Sequence, residues 1–151
     1  MHIFFSLLTI VFFLISTNVE AKQKLYTGEE IAKTYKLLQS ITIPAIYENG
    51  VVLTKYANFY KADGGECIIV SRLDNESNFG GYEDVIYFKK RIMLRSSKQS
   101  FFSIFLDDDA KIKSKKIKYS DYLNGKEVQQ GLKEDFILYQ KKMNKNTLNQ
   151  C

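Results

Sequence analysis

Ile41-Thr42-Ile43-Pro44-Ala45-Ile46-Tyr47-Glu48-Asn49-Gly50-Val51-Val52-Leu53-Thr54-Lys55-Tyr56-Ala57-Asn58-Phe59-Tyr60 is the stretch on which the fold turns. Its first half alternates, with Ile41, Ile43, Ala45 and Tyr47 on one face, as a half-buried strand requires. Asn49-Gly50 then supplies the two positive-φ residues of a type I′ turn, and Val51 to Tyr60 returns as a second strand. Pro44 cannot donate a ladder hydrogen bond, so the first strand is expected at an edge or to be irregular.

Working outward, Asp63-Gly64-Gly65 reads as a turn into the strand Cys67-Ile68-Ile69-Val70-Ser71-Arg72-Leu73. Asp74 to Gly81 reads as an exposed loop carrying the sequon Asn75-Glu76-Ser77, which makes Asn75 a candidate for glycosylation. Tyr82 to Arg95 is expected as one long strand, with Ser96 to Gln99 turning the chain into a short apolar strand from Phe101 to Leu106. Asp107-Asp108-Asp109 reads as a solvated turn; three consecutive carboxylates do not reproduce the alternate spacing of a calcium loop, and no metal ligand set is expected. Lys111 to Tyr119 is expected as an edge strand whose lysines discourage unwanted pairing.

Helices flank the strands. Thr27 and Glu30 form a capping box, with Tyr26 and Ile31 as its hydrophobic staple. Ile31, Tyr35 and Leu38 extend one apolar stripe, which predicts a helix from about Gly28 to Gln39. Val128, Leu132, Phe136, Tyr139 and Met143 predict a second helix from Lys126 to about Asn144. The expected class is α+β: one domain, with an N-terminal helix, five to six antiparallel strands and a C-terminal helix.

The extreme N-terminus bears on location. Ile3 to Ile15 is an apolar run of secretory-signal length, and Ala21 closes a small-residue cleavage site before Lys22. Residues 1–21 are therefore expected to be a signal peptide and 22–151 a secreted domain, extracellular or periplasmic, with no stable membrane anchor after cleavage. His2 is the only histidine and would leave with that segment. Its loss removes Ser-His-Asp and Cys-His nucleophile activation, His-ligated zinc and the usual neutral-pH general base. No catalytic residues and no cofactor are expected.

The charge is +5 over the whole chain, and one unit more without Glu20. Lys111, Lys113, Lys115, Lys116 and Lys118 form a candidate surface for an anionic partner. Tyr119 and Tyr122 would suit base stacking, but a secreted chain rarely meets nucleic acid, so none is expected. Cys67 and Cys151 are the only cysteines, and an oxidising compartment argues that they form a disulfide.

A cysteine after a C-terminal helix, bonded back to a strand in the first half of the domain, resembles the disulfide plan of lipocalins. The segment Tyr60 to Val70 is also similar to the corresponding strand of arthropod salivary lipocalins. The family's Gly-x-Trp motif is missing, since the chain has no tryptophan, and the strand count falls short of a closed eight-stranded barrel. The resemblance implies an alternative fold, a lipocalin-like small β-barrel, and an alternative function as carrier of a small apolar ligand. The primary expectation is a non-enzymatic binding protein that occupies a protein partner, as an inhibitor, effector or periplasmic immunity protein does. A secreted hydrolase using carboxylates alone stands third.

Overall fold

A computed structural model of the chain describes residues 24–48, 51–75, 80–105 and 115–151. The expected signal segment, Asn49-Gly50, the acidic triplet, Lys111 and Lys113 lie outside the described residues. Six strands form one antiparallel sheet in the order of the chain: β1 (Lys36–Glu48), β2 (Val51–Lys61), β3 (Cys67–Asn75), β4 (Gly80–Lys89), β5 (Ile92–Phe105) and β6 (Lys115–Leu123). Helix α1 (Gly28–Thr34) precedes them, and α2 (Lys126–Lys142) and α3 (Lys145–Gln150) follow. This is an α+β arrangement. Edge strands β1 and β6 do not pair with each other among the described residues, so the lipocalin-like barrel is not formed.

Pro44 acts as expected. β1 is an edge strand, and its register against β2 shifts between Ile43 and Ile46, the interval that contains the proline. The shift corrects the simple alternation of the first half, because Ile46 takes the position opposite Leu53 that a regular strand would give Ala45.

Four other local expectations are corrected. The first helix stops at Thr34, because Tyr35 is already extended and Lys36 pairs with Lys61. Leu38 therefore lies on β1 rather than on a helical stripe. The single strand over Tyr82 to Arg95 is two strands, folded at Lys90-Arg91 into a two-residue hairpin in which both residues have positive φ, 48° and 66°. These are type I′ angles, which favour Asn-Gly; a residue with a Cβ is held there at a cost of roughly 1 kcal/mol. The Lys90 N–H donates to the Cys151 carbonyl at 2.6 Å, one contact that holds the turn. Ser96 to Gln99 is no turn, since β5 runs through it without a break. Asn75 is not in the loop but ends β3, opposite both Leu53 and Gly80.

The middle of the sheet is covered on both faces. On one, α2 lays Leu132, Phe136, Tyr139 and Met143 over Ala57, Phe59, Cys67, Ile69, Ile86 and Phe88. On the other, Ile31 of α1 packs with Tyr60, Ile68, Val70, Val85 and Tyr87. Successive residues of β3 and β4 point to opposite faces and both sets are buried, so these strands read as nearly continuous apolar runs. Cys67 and Cys151 form the disulfide, across 5.6 Å between Cα atoms, and pin α3 to the start of β3. No helix among the described residues is long and apolar enough to cross a membrane.

Candidate functional site: a tyrosine-walled cleft beside helix α1

The capping box at the start of α1 is complete. The Glu30 N–H donates to Thr27 Oγ1 at 3.3 Å, and the Thr27 N–H donates to Glu30 Oε2 at 2.9 Å. That hydrogen bond to the Thr27 backbone holds the Glu30 carboxyl below its ordinary range against the opposing effect of burial, with the Thr27 hydroxyl, Lys24 and Lys33 assisting. The box aims the next N–H, that of Gly28, into the sheet, where it donates to Glu83 Oε1 at 2.7 Å. Gly28 is required for this approach: a Cβ there would lie 2.5 Å from Glu83 Oε2 and 2.6 Å from a Val70 methyl.

Glu83 is a hub. Only 2% exposed, it also accepts from Arg72 Nη2 at 2.7 Å and from the Tyr119 hydroxyl at 3.1 Å. The register explains the convergence: Arg72 pairs with Glu83 across β3–β4, while Phe101 pairs with both Gly81 and Tyr119. Arg72 also stacks over the Phe101 ring, its guanidinium 4.8 Å from the centroid. Burial, then the Glu83 charge, raises the Tyr119 phenol above its ordinary pKa, with Arg72 opposing, so the hydroxyl remains a donor at neutral pH.

Between α1 and strand β2 this hub floors a cleft of about 310 Å³. Tyr56, Asn58 and Tyr60 of β2 form one wall, and Gly28, Glu29 and Ala32 of α1 the other. Tyr56 stands at the mouth, 47% exposed, while Tyr60 is buried. Burial raises the Tyr60 phenol as well. The cleft is thus aromatic on one side, polar at its floor and open at its rim.

The opposite face holds a second polar centre, closed over by α2. Lys55 Nζ, on a side chain almost fully buried, lies 2.6 Å from Asp135 Oδ2 and 3.7 Å from Asp84 Oδ2. Asp84 also pairs with Lys98 at 3.3 Å and accepts from Ser71 Oγ at 3.3 Å. Burial works to lower the Lys55 pKa, but Tyr139 and the carboxylates of Asp135 and Asp84 outweigh it and hold the ammonium above its ordinary range. Asp84 goes the other way: burial raises it, and Lys98 and Lys55 recover only part of the shift. Lysine, aspartate and tyrosine are catalytic residue types, yet here they face one another and fasten α2 to the sheet.

The residues singled out from sequence are scattered around these centres. Cys67 and Cys151 are joined. Lys115, Lys116 and Lys118 share the edge strand β6, opposite Phe105, Ile104 and Phe102, and Lys118 is exposed. Lys118 does not line the cleft. Arg72 and Glu83 were not identified from sequence; the signal for them is charge following the apolar run Cys67 to Val70 on β3 and preceding the apolar run Val85 to Phe88 on β4. Comparison of the chain with models of known protein families, with characterised proteins and with solved structures finds no match.

Proposed function

We propose that this chain is a secreted, non-enzymatic binding protein that acts by occupying a protein partner, and that the α1–β2 cleft receives the partner's anchoring side chain. The observation that carries the reading is the cleft itself: two tyrosines on strand β2, a polar floor held by Glu83, and a volume at the small end for ligand pockets. Tyrosine supplies a large amphipathic contact surface at low entropy cost, which is why anchoring pockets at interfaces favour it. An open cleft with an aromatic wall and a polar floor suits one inserted side chain better than an enclosed apolar molecule. Secretion is supported by the signal-like N-terminus and by the disulfide.

Selection of peptides from a displayed library on the folded protein tests the reading. Enriched peptides should perturb the backbone amide resonances of Gly28, Asn58 and Tyr60, and Tyr56→Ala should weaken them about tenfold or more. Peptides that bind the variant unchanged would place the interface elsewhere. Failure to enrich any peptide, with stoichiometric uptake of a fluorescent fatty acid, would return the function to an apolar-ligand carrier.

A further inference from the structure

The end of the sheet at which β1 begins and β2 ends gathers positive charge from segments remote in sequence. Lys36 at the start of β1 pairs with Lys61 at the end of β2, and Lys61 pairs with Cys67. Cys67 pairs with Phe88, next to the hairpin Lys89-Lys90-Arg91. Helix α2 ends at the same place: Gln140 donates to the Arg91 carbonyl at 2.7 Å, and Gln39 of β1 donates to the Lys142 carbonyl at 2.9 Å. That contact brings Lys141, Lys142 and Lys145 to the pole. Lys61 and Lys89 donate to the carbonyls of Gln150 and Gly64, which are neutral and leave their charge uncompensated. Among the described residues the acids at this pole are Asp63 and Glu66, and Glu66 is already 3.6 Å from Arg95. Even with a carboxylate counted at Cys151, the pole is strongly positive.

Exposed aliphatic side chains coincide with this charge. Ile92, directly after the hairpin turn, is 65% exposed, and Leu94, at the irregularity that follows, is 48% exposed. Leu37 on β1 and Ile137 and Leu138 near the end of α2 are exposed as well. Lys141 and Lys142 have a structural use, since cations complement a helix C-terminus. Lys90 and Arg91 have none of that kind: they occupy a turn that Asn-Gly would adopt with less strain.

We infer that this pole is a docking surface for an anionic phospholipid membrane, with the Lys89–Ile92 hairpin tip entering the headgroup layer. Clustered lysine and arginine supply attraction to the negative leaflet, and flanking aliphatics supply the apolar contact that a soluble polyanion would not reward. This surface is independent of the cleft, so a partner bound beside Tyr56 could be held at a membrane.

The absence of tryptophan from the chain makes a local test available. In the full chain, the Ile92→Trp reporter should shift its emission to the blue on vesicles of phosphatidylcholine with phosphatidylserine, and not on phosphatidylcholine alone. The reporter reads the hairpin itself, whatever the apolar N-terminal run does. Raising the salt should reverse the shift. Adding Lys90→Asn and Arg91→Gly removes two cations while installing the favoured turn pair, so the fold is preserved. The lipid needed for half the shift should then rise roughly tenfold or more. No shift on the anionic vesicles, or an equal shift on both kinds, overturns the inference. Binding to heparin without any shift on the anionic vesicles overturns it too, in favour of a soluble polyanion.

Discussion

Helix α2 spans Lys126–Lys142 and buries Leu132, Phe136 and Tyr139 against the sheet, whereas α1 has seven residues and buries Ile31 and Gly28. The larger apolar contact lets α2 seal its face, with its ionic network enclosed beneath it. The smaller helix covers only part of its face and depends on directed polar contacts: a capping box, and one carboxylate that takes a backbone donor, a guanidinium and a phenol. The cleft lies beside the one of these two helices that apolar burial holds less. An opening in a sheet of this size persists where the covering element is short and its seat is polar, because such a seat gains its energy from geometry rather than from covered area.

The largest effect should come from breaking the α2 face at its covalent tie. Replacing Cys67 and Cys151 together by Ala should cost roughly 4 kcal/mol in chemical denaturation, since the loop released is long. The loss should appear first in hydrogen-exchange protection of α3 and of the end of α2. Protection lost equally in α1 would mean that the two faces do not open separately.

Glu83→Gln should cost about 3 kcal/mol, because Arg72 would keep its charge on a largely buried floor without its carboxylate. Its exchange pattern should be the reverse of the cysteine variant's: α1 released, α2 retained, and binding in the cleft lost. A variant with full stability would show that the hub is dispensable. Thr27→Ala removes the cap hydroxyl alone and should cost about 1 kcal/mol, measured as a shifted denaturation midpoint. An unchanged midpoint would mean that α1 is seated by Glu83 and Ile31 without help from its cap.

The smallest effects are those of pH, and their signs differ between faces. Glu30 has a lowered pKa in the folded chain, so its contribution is present above its ordinary value of 4.5 and is lost as pH falls through the folded value. Glu30 is mostly exposed, so this contribution is small. Asp84 has a raised pKa, so the folded chain holds that proton more tightly, and its term favours folding as pH falls. The Lys55 contribution is complete below 10.5 and is lost as pH rises through its raised folded value. Acid should therefore loosen α1 before α2, whereas alkali titrates raised groups on both faces, Lys55 beneath α2 and the Tyr119 phenol beneath α1, and should loosen the two together, in exchange measured across the pH range. Loss of α2 before α1 in acid would contradict this assignment.

Much of the fold was legible because its signals are local. The capping box of α1, the period of α2, the turn at Asp63-Gly64-Gly65 and the effect of Pro44 each depend on residues within a few positions of one another. The hairpin at Lys90-Arg91 was not legible, because neither residue favours positive φ; the turn is held instead by contacts from Cys151 and Gln140. The early end of α1 has the same origin: Tyr35 and Leu38 keep a helical spacing, but pairing with β2 takes the chain from Lys36 onward into the sheet. The pairing of Cys67 with Cys151 needed no coordinates, since two cysteines allow one partner each.

The site belongs to the other category. A sequence states that Arg72, Glu83 and Tyr119 exist; the register of β3, β4, β5 and β6 decides that they meet on one face beneath Gly28. Slipping any of these strands by one residue would turn its charge to the α2 side, because side chains alternate across a strand. The basic pole likewise draws on strand ends, a hairpin and a helix terminus that share no neighbourhood in the chain. Local chemistry determined the elements and the disulfide, while the cleft and the pole exist only where sheet register and helix docking bring distant charges within a few ångströms.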